Sequence, residues 1–119
     1  MSTVLFYRVE DSTNTGPYNC AYSTRTDALF KMSSVHCDWD HPTPHEEDLD
    51  FSRDMVYGFS TLEQMLDWFK GYGHVLDDAG FRVSVYRVGA QWVESGKYQA
   101  VVKLDRLTDL VETFSTCGL

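Results

Sequence analysis

Cysteine is scarce in this sequence: Cys20, Cys37 and Cys117 are the three among 119 residues, widely spaced and without a C-x-x-C pair. That is a poor framework for a small disulfide-stapled secreted protein, and free thiols in a reducing compartment are the simpler account. Basic residues are also few, ten Lys and Arg against 18 Asp and Glu, for a formal charge of −8. Sequence-independent binding to a phosphate backbone is disfavoured. The apolar runs are only a few residues long, which excludes a membrane span. The start, Met1-Ser2-Thr3-Val4, has neither the basic residues nor the apolar stretch of a secretory signal, so the expected location is cytoplasmic. What is present is enough apolar material, 43 % with 14 % aromatic, to fill the core of one domain over residues 1–119.

The order of elements follows from periodicity. Residues 3–10 alternate and are rich in β-branched and aromatic types, a strand with Val4, Phe6 and Arg8 on one face. A turn-rich stretch, Asp11 to Tyr18, leads to a short helix over about 25–33 carrying Ala28, Leu29 and Met32. Residues 36–54 hold seven acids against Arg53, with Pro42 and Pro44 opposing regular pairing, and read as an exposed acidic loop. Val56 to Phe59 is a short strand running into Ser60-Thr61-Leu62-Glu63, whose S-x-x-E spacing predicts a capping box and a helix from Thr61. Leu62, Met65, Leu66 and Phe69 supply its core stripe, and Gly71 suits its end. A shorter helix spans about 74–79. Strands follow at 81–88 and 98–104, expected to pair with each other, and Asp105 starts a last helix with Leu107, Leu110, Val111 and Phe114 in helical period. The expected class is α+β, a small mixed or antiparallel sheet of four to five strands with two to four short helices.

Around Cys37, the side chains of His36, Asp38, Asp40, His41 and His45 are crowded. Their spacing matches no zinc template, and sequence neighbours seldom all turn inward on one ion, so no metal is assigned.

Several pieces, in order, resemble a widespread family of small bacterial and phage proteins that begin with a Tyr-Arg-Val-Glu strand. These are Tyr7-Arg8-Val9-Glu10, Gly16-Pro17-Tyr18, His41-Pro42-x-Pro44, Tyr57-Gly58-Phe59, Leu62-Glu63-Gln64, Trp68-Phe69, Gly80-Phe81, Val85-Tyr86-x-Val88, and Gln99 before Val101. The layout is similar to the small ADP-ribosyltransferase fold, and that resemblance implies a cleft for NAD or a related nucleotide. Carried over by position, Arg8 would bind pyrophosphate or ribose oxygens, Ser60 and Thr61 would meet a ribose or phosphate at the helix start, and Gln99 takes the place of the late catalytic Glu; Tyr57, by its own character, is expected to line the same pocket. An amide cannot supply the negative charge that stabilises an oxocarbenium-like centre, and Glu94 reaches the site only if its hairpin folds back. Catalysis depends on that.

Each of these residues also has a plainer reading: Arg8 as an ion-pair partner, Ser60 and Glu63 as a helix cap, Trp68 and Phe69 as core. A second function comes from Asp38, Asp40, Glu46, Glu47, Asp48 and Asp50, which together suit a basic host protein or nucleoprotein complex that otherwise holds nucleic acid. Small acidic phage inhibitors of host defence, among them anti-CRISPR proteins and DNA mimics, are similar in type, and a phage product of this kind acts in the host cytoplasm. A third variant, a nucleotide sponge without turnover, links the two.

Overall fold

A computed structural model describes residues 2–18, 27–36, 38–49, 51–52 and 54–119. Among them the chain forms six strands and three α-helices: β1 (Thr3–Glu10), α1 (Asp27–Val35), β2 (Met55–Gly58), α2 (Leu62–Trp68), α3 (Gly73–Asp78), β3 (Arg82–Gly89), β4 (Glu94–Ser95), β5 (Ala100–Lys103) and β6 (Leu110–Ser115). Short 3-10 turns occur at Pro44–Glu47, Ala90–Trp92, Leu104–Arg106 and Thr116–Gly118. No described helix is long and apolar enough to cross a membrane.

The strands make two three-stranded antiparallel sheets, ordered β1-β3-β6 and β2-β5-β4. They meet at one antiparallel bridge, where the Tyr7 amide donates to Phe59 O at 2.9 Å and the Phe59 amide to Tyr7 O at 2.8 Å. Strand alternation then sorts the core into two layers. On one face of the first sheet Val9, Val83 and Val85 pack with Leu29, Met32, Met65, Phe69 and Leu76 from the helices. On the other, Phe6, Tyr86 and Val88 face Ala100 and Val102 of the second sheet.

Several expectations are corrected. The last segment is strand β6, not a helix begun by an Asp105 cap; it pairs with the edge β3 otherwise leaves free, and Val111 and Thr113 are β-branched residues that favour extended backbone. Strands β3 and β5 do not pair with each other, because residues 90–95 cross from one sheet to the other and the hairpin forms between β4 and β5. The α2 cap is Thr61, whose Oγ1 accepts from the Gln64 amide at 3.1 Å. The Ser60–Glu63 box is displaced by one residue: the Gln64 side chain accepts from the Ser60 amide at 3.1 Å. Its buried stripe is likewise Met65, Trp68 and Phe69, while Leu62 and Leu66 face solvent. Gly71 and Gly80 do end their helices with positive φ, at 85° and 91°.

The acidic stretch is not simply an exposed loop. Thr43 caps the Pro44–Glu47 turn with a complete capping box, and His36, Pro42 and Leu49 are buried. We call residues 38–49 the strap. Three bonds hold it down: Gln99 Nε2 donates to Pro42 O at 2.6 Å, the Tyr98 amide to Glu47 Oε1 at 2.9 Å, and the His41 ring meets Trp68 O at 2.8 Å.

Candidate functional site

Between the strap, the loop after β1 and strand β2 lies a cleft of about 600 Å³. The strand pattern that puts Arg8 on a buried face fixes its floor. Arg8, 4 % exposed, donates from Nε to Glu10 Oε1 at 3.0 Å, from Nη1 to Tyr57 O at 2.6 Å and from Nη2 to Asn14 O at 3.0 Å. The other carboxylate oxygen of Glu10 takes the Tyr86 hydroxyl and, at 3.2 Å, the Asn14 amide. This network locks the guanidinium against β2 and leaves one N–H on each terminal nitrogen unspent. Burial, followed by the bond to Glu10, pushes the Tyr86 hydroxyl up to about 12, so it remains a donor.

Aromatic rings build one wall. Tyr18 stands 5.9 Å from Tyr57 and 6.2 Å from Phe69 between ring centroids, and Trp68 Nε1 donates to its hydroxyl at 2.8 Å. That hydroxyl also hydrogen-bonds His36 Nδ1. The His36 ring stacks on His41 at 3.8 Å and 9°. His41 meets an acceptor at each ring nitrogen, Asp38 Oδ1 at 2.7 Å and Trp68 O. Burial first, and then the charge of His41, hold His36 down at about 4, opposed by Asp38. Asp38 is itself lowered, chiefly by its bond from His41.

A testable pH dependence follows. His36 is neutral in the folded protein down to about pH 4 but takes a proton near 6.5 when unfolded. Its contribution is therefore complete above pH 6.5 and is lost as pH falls from 6.5 through about 4. Urea midpoints measured across that window should fall for the native chain and change much less for His36→Phe; equal slopes would refute the assignment.

Of the residues singled out by sequence, the structure brings Arg8, Tyr57 and Gln99 to the cleft and leaves Ser60, Thr61 and Glu94 outside its lining. Thr61 is spent on the α2 cap, Ser60 Oγ bonds Ser95 Oγ, and Glu94 stands exposed on β4. Asp38, Asp40, Glu46 and Asp48 are exposed on the strap, whereas Glu47 turns inward to the Tyr98 amide; Asp50 lies outside the described residues, as do Cys20 and Cys37. Sequence reasoning missed Asn14, Gly16, Tyr18, His36 and His41 as cleft residues, although Gly16-Pro17-Tyr18 and His41-Pro42 stood among the resembling motifs.

Among the described residues the Tyr57 hydroxyl is buried without a hydrogen-bond partner, and burial raises its pKa above the ordinary tyrosine range, so it keeps its proton. Among the described residues lining the cleft none is acidic, although the whole chain carries −8.

Fold and cleft together define an α+β protein of two three-stranded antiparallel sheets, with an aromatic cleft that holds no carboxylate among the described residues, under an acidic strap. The chain belongs to the bacteriophage T4 Y00F protein family, whose family model matches residues 1–116. Comparisons with curated proteins and with solved structures give no significant match.

Proposed function

We propose that this phage protein binds a nucleotide, NAD or a relative of it, in the cleft and holds it without transferring a group from it. The observation that carries this reading is the lining itself: aromatic rings for a planar base, the cation Arg8 beside them, and no described carboxylate to repel an anion. The absence of turnover is supported by Gln99, whose amide is tied to Pro42 O, and by the position of Glu94 outside the cleft. Neither supplies a carboxylate to an oxocarbenium-like centre.

Calorimetry with NAD and ADP-ribose should show stoichiometric binding, and mass spectrometry after denaturation should recover each nucleotide intact. Absence of heat for both would defeat the reading, and recovery of cleaved nicotinamide would defeat the claim of no turnover.

A second reading uses the other side of the strap. Trp39 is 91 % exposed between the exposed Asp38 and Asp40, which supports contact with a basic partner surface of the kind a host-defence inhibitor blocks.

A further inference from the structure

We infer that the floor of the cleft is an oxyanion subsite in which the Tyr57 hydroxyl and the Arg8 guanidinium together take one phosphate oxygen of the ligand beside Gly16. The inference rests on the reading of the cleft as a nucleotide site and assigns where the phosphate end of the nucleotide sits.

The geometry comes from what Gly16 leaves open. A Cβ placed on Gly16 would lie 3.4 Å from Tyr57 Oη and 3.6 Å from Arg8 Nη2, so the two donors border one spot that a side chain would fill. Both groups line the cleft, and each has donor capacity left. Tyr57 Oη is buried with no partner, and Arg8 Nη2 spends one of its two N–H groups on Asn14 O. The guanidinium cannot swing away, because Tyr57 O, Asn14 O and Glu10 fix it on three sides. A polar group held in place and unsatisfied before the ligand arrives contributes most once it is paired. The Glu10 carboxylate is occupied by Arg8 Nε, Tyr86 and Asn14 and does not line the cleft. A charge-assisted pair of donors around one point fits a phosphate oxygen better than a neutral acceptor.

The test compares AMP with adenosine on the native chain, Tyr57→Phe and Gly16→Ala. The native protein should bind AMP about tenfold or more tightly than adenosine, the difference expected of charge-assisted hydrogen bonds. Each variant should weaken AMP more than adenosine and so narrow the difference between the two. The Gly16→Ala methyl meets its neighbours at ordinary contact distance, so the variant should fold. Tyr57→Phe without ligand should melt at or above the native temperature, because it removes a buried hydroxyl that has no partner. Equal affinity of the native chain for AMP and adenosine, or variants that bind AMP as the native chain does, would overturn the subsite and leave the cleft reading standing. No binding of AMP, adenosine, NAD or ADP-ribose would overturn both.

Discussion

Arg8→Ala should destabilise the protein by about 3–5 kcal/mol, the cost of stranding one member of a buried ion pair. At this size that is a fall in melting temperature of roughly 12–20 °C. Arg8 and Glu10 are each 4 % exposed and 3.0 Å apart. Truncating Arg8 leaves the Glu10 carboxylate with only the Tyr86 hydroxyl and the Asn14 amide, and removes the donors from Tyr57 O and Asn14 O as well. The loss is expected to be specific to the orphaned charge. Glu10→Gln in the Arg8→Ala background should recover part of the stability, and a double-mutant cycle in urea measures that coupling. Strictly additive single losses, or a loss below about 1 kcal/mol for Arg8→Ala, would show that the pair is loosely solvated and not the anchor described above.

Gly58→Ala should cost roughly 3 kcal/mol, the upper end for overpacking a core. A Cβ at this position would stand 2.4 Å from Phe6 Cε2 and 2.5 Å from Tyr7 O. Neither neighbour has room to yield: Phe6 is fully buried, and the Tyr7 backbone is bonded in both directions to Phe59. The substitution pushes the two sheets apart at their only described bridge, so amide exchange at Tyr7 and Phe59 should accelerate with the fall in urea midpoint. Gly118→Ala is the control, with nothing within 4 Å, and should change stability by less than about 0.5 kcal/mol. Similar midpoints for the two variants would refute the close approach.

How much of this could be read from the sequence depended on whether an element's reasons were local. β1 was legible to the residue, since eight alternating positions decide a strand by themselves, and Gly71 and Gly80 marked helix ends because left-handed backbone favours glycine. β6 was not, because Leu107, Leu110, Val111 and Phe114 fall in helical period by spacing alone, and only the free edge of β3 settles the matter. Leu110 is 52 % and Val111 40 % exposed, so the core pull that would have stabilised such a helix is absent. The pairing of β3 failed for the same reason, since a turn-rich connection does not say which sheet it leads to. In the site, Arg8 was legible as a charge on an apolar face. His36 and His41 were not legible as a pair, because their stacking with each other under Trp68 arises from three segments meeting in space.

β1 also sets the order in which the chain can assemble. It is the first of the described strands to be synthesised, yet all eight of its residues pair with residues 82–89, and its described backbone bridge toward the other sheet is at Phe59. On a ribosome it must therefore wait, with Phe6 and Val9 uncovered, until most of the chain has emerged. Closing so long a loop is slow compared with forming the helices, which are local. The strand carrying Arg8 thus becomes ordered late, and the cleft exists only once the chain is nearly complete.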